Sequence, residues 1–392
     1  SLTTYITTSK CRSFFVVIDF YFAQMSQEKP SSTTSAKGLE GVIALESSIC
    51  DIDGLKGELI YRGYDIRDLA QNCTFEEVSY LLWNEHLPDQ VQLEHLNRSL
   101  TAARILPPMV KDVLAMTPED ASPMAALRTA VSALALFDGE AEDMSAEANY
   151  RKSVKLTAQI PTILAHFDRS RNGLEPLHPL LDGSISSNFL YMLHGEVPGE
   201  AAEKTFDMCL VLHAEHGLNA STFAARVIGA TLSDIYSAIT GAIGGLKGPL
   251  HGGANIAVME MLMEIDRTGA DPKAWVLDKL QKKERIMGHG HRVYKTLDPR
   301  AAILRDMLAK LSKESGNSKW FDMSMVISET VLKEKGLHAN VDFFSASVYG
   351  TLNIPSDLFT PIFGMSRISG WTAHLMEQWK DNRLIRPKAA YT

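Results

Sequence analysis

The chain has 392 residues, of which 45% are hydrophobic and 22% charged, a composition typical of a globular protein long enough for two domains. Its formal net charge of −8 argues against nucleic acid as the main partner, because proteins that bind nucleic acid usually present basic surfaces. Net charge does not exclude a local basic pocket for an anionic metabolite.

The four cysteines are scattered, and no pair has the close spacing of a zinc site or a redox motif. A chain of this length needs no disulfide framework. The sequence therefore predicts reduced thiols and a cytoplasmic protein.

An apolar run at residues 13–22 could be interpreted as a signal peptide. However, Asp19 interrupts the run, and no small-residue cleavage site follows it cleanly. The run is too short to span a bilayer as a helix. A polar stretch at 26–35 has a composition typical of disorder. We predict that residues 1–37 are a disordered or non-native leader, and that 1–24 extend upstream of the natural start.

Strand signals are confined to residues 49–61, where two glycine-containing pairs between short apolar runs predict a hairpin. Beyond it, apolar residues recur at intervals of three and four, the period of an amphipathic helix. The predicted helices cover residues 75–83, 94–104, 123–137, 150–167, 201–230, 256–265, 272–280, 299–312, 320–334 and 358–380. With no alternation of strands and helices, the predicted fold class is mostly α.

Two histidines, His213 and His216, lie at i, i+3 in the predicted helix 201–230 and are expected on one helix face, with Asn219 three residues further on. A metal site would need a third ligand, and none stands at a recognisable spacing. A polar helix–helix contact is the structural alternative.

Six glycines surround His251 in residues 241–253. Their spacing is not that of a phosphate-binding loop, and no strand precedes them, so a nucleotide P-loop is rejected. Glycine here favours a tight turn, close approach to a ligand and a hinge between domains. His251 is either a ligand-facing histidine or a solvent-exposed turn residue.

In residues 288–300, His289 and His291 flank a glycine without cysteine or carboxylate partners, so no metal is predicted. One of them is better suited to donate a hydrogen bond to a developing oxyanion. Asp298 and the proline after it predict a helix start. Arg300 opposes the helix dipole there, which indicates a nearby anion or, alternatively, a solvated arginine.

One carboxylate, Asp342, is set among apolar neighbours, where desolvation would raise its pKa and make it a better proton acceptor. Its alternative role is a helix N-cap. Arg367, in an apolar helix, and Arg386, in the C-terminal tail, join Arg300 as candidate carboxylate clamps, although an arginine in such a tail is by itself most often a surface charge. Arginine binds carboxylates bidentately, so three converging arginines would suit a dicarboxylic acid.

The order and spacing of these motifs resemble those of citrate synthases, and the resemblance runs from about Gly38 to Thr392. The motifs that carry it are residues 213–222, 248–255, 288–291 with 298–300, 340–342 and 385–387. The resemblance implies a multi-helical fold with a large domain (38–250 plus 348–392) and a small domain (251–347) that closes over the substrates. It also implies a homodimer or a higher homo-oligomer, with the dimer as the minimal active unit.

The resemblance further implies catalytic roles. His251 would hydrogen-bond the thioester carbonyl of acetyl-CoA, Asp342 would remove a methyl proton, and His291 would polarise the ketone of oxaloacetate. The oxaloacetate site would comprise His216, Arg300, Arg367, Asn219 at its edge, and Arg386 from the partner subunit. The CoA moiety would lie along Arg285, Ile286, Met287, Gly288 and Gly290.

The implied activity is that of an acyltransferase, a citrate synthase that forms citrate and CoA from acetyl-CoA, oxaloacetate and water at the entry of the tricarboxylic acid cycle. It implies no cofactor and no metal, since acetyl-CoA is a co-substrate, and neither nucleic acid nor membrane as partner. A 2-methylcitrate synthase that uses propionyl-CoA, or a dual enzyme, is the nearest alternative, because residues 343–346 and 381–387 are also similar to the propionyl enzymes. Arg292 and Lys295 favour citrate.

A helical scaffold or binding protein without chemistry is the alternative from another class. It is disfavoured because His251, His291 and Asp342 are all present. A metal-binding helical protein is supported only by the paired histidines.

Overall fold

The computed structural model describes residues 37–389 and Tyr391. The predicted leader, except Lys37, lies outside the described residues. Contacts group Ser47–Arg386 into one compact unit, and the described residues before and after it belong to a second unit, which includes a short 3-10 turn at Lys37–Leu39.

The predicted hairpin is confirmed. Strand β1 (Cys50–Asp53) pairs antiparallel with β2 (Glu58–Tyr61), and β2 pairs with a two-residue strand β3 (Tyr64–Asp65) that the sequence pattern did not reveal. The turn is closed by the Asp53 side chain, whose Oδ1 accepts the N–H groups of Leu55 and Lys56 at 3.0 Å each.

The mostly α fold is also confirmed, with sixteen α-helices in the described part of the chain. They are α1 (Ile66–Asn72), α2 (Phe75–Asn84), α3 (Gln90–Ala103), α4 (Pro108–Ala115), α5 (Pro123–Leu134), α6 (Ala146–Arg171), α7 (Ile185–His194), α8 (Glu200–His213), α9 (Ala220–Gly229), α10 (Ile235–Lys247), α11 (Ala254–Thr268), α12 (Pro272–Gln281), α13 (Pro299–Ser315), α14 (Lys319–Lys335), α15 (Val341–Thr351) and α16 (Phe359–Lys380). Further 3-10 turns occupy Ala135–Phe137 and Ser356–Leu358. No helix in this part of the chain has the length and apolarity that crossing a membrane requires.

One predicted helix was wrong. Residues 201–230 form two helices, α8 and α9, separated by residues 214–219. Gly217 takes a left-handed φ of 60°, and Asn219 caps α9 by accepting the Thr222 N–H at 3.1 Å. The apolar period continues through this break because both helices face the same core. His213 therefore ends α8 while His216 lies in the loop, so the prediction that they share a helix face was wrong.

The apolar periodicity did not predict five of the helices, which are α1, α4, α7, α10 and α15. Four of them are short, and α10 carries three glycines that weaken its helical signal. In the structure α16 is nearly all buried and packs on α6, α9 and α10, while α11 to α15 pack on one another. The division into a large and a small domain stays a prediction.

Candidate active site

The end of α8 and the loop that follows it hold three of the residues that the sequence singled out, His213, His216 and Asn219. His213 is fully buried, and its Nδ1 lies 2.7 Å from the Cys209 carbonyl oxygen. His216 lies with Nε2 3.1 Å from the Tyr294 hydroxyl. Burial, reinforced by the charge of Arg300, lowers the pKa of both imidazoles, that of His213 to about 3. Both rings are therefore neutral at physiological pH.

His251 lies in the glycine corner that precedes α11, with Nε2 2.8 Å from the Ser221 hydroxyl oxygen. Burial and the charge of Arg367 lower its pKa to about 4. The Ser221 oxygen is also 2.8 Å from Oδ1 of Asn219 and accepts the Trp371 Nε1–H at 3.2 Å. Ser221 has one hydroxyl proton, so Nε2 and Asn219 compete for it. His251 carries its own proton on Nδ1 when Ser221 donates to Nε2.

The tautomer of His291 is fixed by the main chain. Its Nδ1 accepts the backbone N–H groups of Val293 at 2.9 Å and Tyr294 at 3.1 Å. Burial, followed by the nearby Arg300 charge, lowers the pKa of the ring to about 4. A neutral imidazole that accepts through Nδ1 must carry its proton on Nε2, so His291 presents a hydrogen-bond donor.

Arg300 has an anion beside it, as its position against the helix dipole indicated, and the anion is Asp298. The Arg300 guanidinium donates through Nε and Nη2 to the two Asp298 oxygens at 3.0 and 2.9 Å. Asp298 also caps α13 and accepts the Val341 N–H at 3.3 Å. Arg300 is only 2% exposed, which excludes the solvated alternative.

Asp342 is in the first turn of α15, but it is not the N-cap. Asn340 caps this helix by accepting the Asp342 N–H at 3.1 Å. The Asp342 carboxylate has no hydrogen-bond partner among the described residues, and burial raises its pKa to about 6 although Arg300 opposes the rise. The predicted desolvation is thus confirmed, and the capping alternative is wrong.

A short backbone bridge ties the His291 segment to the Asp342 helix. The N–H of Asn340 donates to the Gly288 carbonyl, and the N–H of Gly290 donates to the His338 carbonyl, both at 2.9 Å. Gly288 has a left-handed φ of 76°, and a Cβ there would lie 2.8 Å from that of Phe343. His289, which had no predicted role, packs on the same Phe343 with ring centroids 4.6 Å apart.

Arg367 is buried in α16, and its Nε donates to the His213 carbonyl at 2.7 Å. Its guanidinium carbon lies 4.7 Å from the centroid of Phe363. The Phe363 ring also lies 5.1 Å from that of His213 and 6.5 Å from that of His251. Sequence reasoning missed Phe363, although its i, i+4 spacing to Arg367 on one helix face was a usable signal.

A second missed residue is Glu215, the buried countercharge of Arg367. Burial lowers the pKa of Arg367, and the charge of Glu215 opposes that fall most strongly. The Glu215 carboxylate accepts from His374 Nε2 at 3.1 Å, and His374 Nδ1 accepts from the Arg226 guanidinium at 3.0 Å. A guanidinium can only donate, so these contacts fix the tautomer of His374.

The structure does not bring Arg386 and the predicted CoA segment to the site through side-chain contacts. Arg386 is exposed in the segment after α16 and makes no hydrogen bond or ion pair with the described residues. Of the predicted CoA segment, Arg285 is exposed and Ile286 is buried. This segment leads directly into Gly288 and the bridge. Within residues 37–389, no cluster of histidine, cysteine and carboxylate side chains is arranged to hold a metal ion.

Comparison with known proteins supports the family resemblance found in the sequence. The family described as "Citrate synthase, C-terminal domain" matches residues 38–388. "Citrate synthase 2" of Bacillus subtilis is 53% identical over 92% of this chain and 96% of its own length. "Citrate synthase" of Haloferax volcanii is 51% identical over 91% of this chain and 95% of its own.

Solved structures agree. Citrate synthase from Pyrobaculum aerophilum superposes with a TM-score of 0.85 at 40% identity, and the match covers 91% of each chain. The Thermoplasma acidophilum citrate synthase, solved as a ternary complex with carboxymethyl coenzyme A and oxaloacetate, gives a TM-score of 0.83 at 32% identity, over 91% of this chain and 95% of that one. The chain therefore belongs to the citrate synthase family and is an enzyme of that family.

Proposed function

We propose that this member of the citrate synthase family condenses acetyl-CoA with oxaloacetate and water to give citrate and CoA. The observation that carries the proposal is the unbonded Asp342 carboxylate with a pKa raised to about 6, in a site whose histidines stay neutral. The methyl group beside a thioester is a weak acid. Its deprotonation needs a base of raised pKa together with a donor for the developing enolate oxygen.

The first step uses Asp342 and His251. The Asp342 carboxylate takes a proton from the acetyl methyl group, and the electrons of that C–H bond form the enolate. His251 donates to the thioester oxygen from Nδ1, provided Ser221 directs its hydroxyl proton to Nε2. Because burial keeps the His251 ring neutral, the donor stabilises the oxygen without adding a permanent charge.

The second step uses His291. The enolate carbon attacks the ketone carbon of oxaloacetate, and the ketone oxygen becomes an alkoxide that receives a proton. The Nε2–H of His291 is the donor that the main chain already fixes. Water then hydrolyses the thioester of citryl-CoA, which releases citrate and the CoA thiol.

Two buried arginines and one histidine suit the oxaloacetate dianion. Arg300 is paired with Asp298 inside the chain, while Arg367 donates only through Nε to the His213 carbonyl and keeps both terminal nitrogens without partners among the described residues. Arg367 is therefore the guanidinium most available for a substrate carboxylate. His216, held by Tyr294, and Asn219 complete the pocket, with Arg386 supplied by the partner subunit.

For the acyl group, we propose that acetyl-CoA is preferred and that propionyl-CoA is a weaker substrate. The relatives with the highest identities quoted above are named citrate synthases, which supports acetyl-CoA. "Citrate/2-methylcitrate synthase" of Bacillus subtilis is 43% identical over 90% of this chain and 95% of its own length, which supports the second activity. One methylene in an apolar pocket separates the substrates by only about 1–3 kcal/mol.

The proposal extends to the setting of the enzyme. Residues 251–347 form the small domain that closes over the substrates, the homodimer is the minimal active unit, Arg285 to Gly290 line the CoA moiety, and the enzyme acts in the cytoplasm without metal or cofactor. The family membership and the order of the motifs support each of these points.

The test is thiol release from acetyl-CoA and from propionyl-CoA, each with and without oxaloacetate, in chelator-treated protein. Oxaloacetate-dependent release, with the larger kcat/KM for acetyl-CoA, is the expected result. Release that ignores oxaloacetate would refute the condensation, and a larger kcat/KM for propionyl-CoA would reverse the proposed preference.

A further inference from the structure

The turn of the N-terminal hairpin lies directly against the segment that follows His291. We call residues 53–57 the hairpin turn and residues 291–297 the histidine loop. The N–H of Lys295 donates to the Gly54 carbonyl at 2.8 Å. Within the described part of the chain, this is the one backbone–backbone hydrogen bond that links residues 292–297 to another element.

Glycine allows the two backbones to touch at two points. A Cβ on Gly54 would lie 2.3 Å from the carbonyl oxygen of Val293, and a Cβ on Gly57 would lie 2.8 Å from that of Leu297. Both obstacles are backbone atoms, so a larger residue could be accepted only if the histidine loop or the hairpin turn moved.

The hairpin turn is rigid enough to act as a support. Asp53 accepts the N–H groups of Leu55 and Lys56 through one oxygen, and its carbonyl accepts the Gly57 N–H at 2.9 Å. At the far end of the hairpin, the Tyr61 hydroxyl donates to the Glu215 carbonyl at 2.7 Å. The hairpin is therefore anchored on the same loop that carries His216.

The histidine loop transmits this support to the imidazole. Val293 touches the hairpin turn through its carbonyl and donates its N–H to His291 Nδ1 at 2.9 Å. The next residue, Tyr294, donates its N–H to the same nitrogen and holds His216 through its hydroxyl. Moving Val293 would therefore disturb both the tautomer of His291 and the direction of its Nε2–H.

We propose that the hairpin turn positions His291, with Gly54 and Gly57 as positioning residues for the hydrogen bond to the oxaloacetate ketone. The inference rests on the proposed role of His291. A donor to a developing oxyanion must be held within about 0.5 Å of its productive place. On the predicted domain division, the turn belongs to the large domain and the histidine loop to the small one, so the contact would form as the domains close.

The test compares Gly54→Ala with a matched Gly139→Ala. Gly54 lacks a left-handed φ, so the substitution adds a clash with Val293 and no backbone strain, whereas a Cβ on Gly139 meets nothing within 4 Å. The measurements are kcat and KM for both substrates and the infrared frequency of the ketone carbonyl in bound oxaloacetate. A lost hydrogen bond moves that frequency back toward the value in free oxaloacetate.

For Gly54→Ala we expect kcat/KM for oxaloacetate to fall about tenfold or more, with the ketone frequency shifted and KM for acetyl-CoA changed less than about twofold. Gly139→Ala should match the wild type. Asp53→Ala, which loosens the turn without adding bulk, should change the same quantities in the same direction and serves if Gly54→Ala does not fold.

Wild-type ketone frequency and kinetics in folded Gly54→Ala, or in Asp53→Ala where Gly54→Ala does not fold, would overturn the inference. So would a loss of activity that Gly139→Ala shares. Failure of the proposed function is distinguishable, because the wild type would then release no thiol in response to oxaloacetate.

Discussion

At the scale of single residues, the site contains one group that titrates near neutral pH and several that do not. Burial raises the pKa of Asp342 to about 6 and lowers those of His251 and His291 to about 4. A buried carboxylate resists ionisation and a buried imidazole resists protonation for the same reason, the cost of a charge in a low-dielectric site. Asp342 is thus the one group among the three that changes charge between pH 5 and 8.

Asp342→Ala should lower kcat by about 10²–10⁴-fold, since it removes the proposed general base. Oxaloacetate binding, measured by calorimetry, should change little, and the unfolding temperature should not fall steeply, because the substitution removes a carboxylate whose burial opposes its ionisation. Near-normal turnover in this variant would remove Asp342 from the mechanism.

The pH dependence of kcat/KM should show a plateau above about 6 and fall as the pH drops through that value. The base acts when ionised, so protonation of Asp342 with a pKa of about 6 removes the active form. The histidines stay neutral down to about 4 and add no second transition above pH 5. A profile that rises on acidification would contradict this assignment, and Asp342→Ala, which should lack the transition in its residual rate, is the control.

At the scale of elements, the junctions between helices and loops position the residues of the site. The sequence revealed Asp298 as a helix start and Arg300 as a residue beside an anion, because capping and dipole rules act over a few residues. It did not reveal that α8 ends at His213, because the apolar period runs on across the break. Nor did it reveal Glu215, whose counterion role depends on Arg367 in a helix about 150 positions later.

The bridge between Gly288 and Asn340 gives a prediction at this scale. Gly288 and Gly290 share a φ of 76°, so alanine strains both backbones alike, but only at Gly288 would the new Cβ press on Val258 and Phe343, at 2.7 and 2.8 Å. Gly288→Ala should therefore cost about 1–3 kcal/mol more unfolding free energy than Gly290→Ala. Denaturant titration of both variants measures the difference, and equal losses would show that the contact relaxes freely.

At the scale of the whole molecule, the sequence was sufficient to predict the fold class. Ten segments along the chain show the apolar periodicity of helices, which predicts a multi-helical protein. The assembly needs a separate test. Arg386 is exposed in this chain and lacks a partner among the described residues, a state that an ordinary surface charge shares with a side chain that serves a neighbouring subunit's site.

Mixed dimers test that placement. Asp342→Ala and Arg386→Ala should each be nearly inactive alone. If Arg386 enters the partner's site, a hybrid dimer has one site that lacks both groups and one that lacks neither. Refolding the two variants together should then restore about a quarter of the wild-type activity, for random pairing. No recovery, with hybrid dimers confirmed by mass spectrometry, would place Arg386 in its own subunit's site, and an active Arg386→Ala variant would place it outside both sites.

On the proposed mechanism, the two backbone N–H groups that donate to His291 Nδ1 have an energetic consequence for the condensation step. The direction of the Nε2–H is established when the loop folds, so the imidazole need neither rotate nor exchange tautomers as negative charge builds on the ketone oxygen. Water in the same place would have to reorient its dipoles during the reaction. On this mechanism the reorganisation energy is met at folding, and a dipole that is already aligned would lower the barrier to carbon–carbon bond formation.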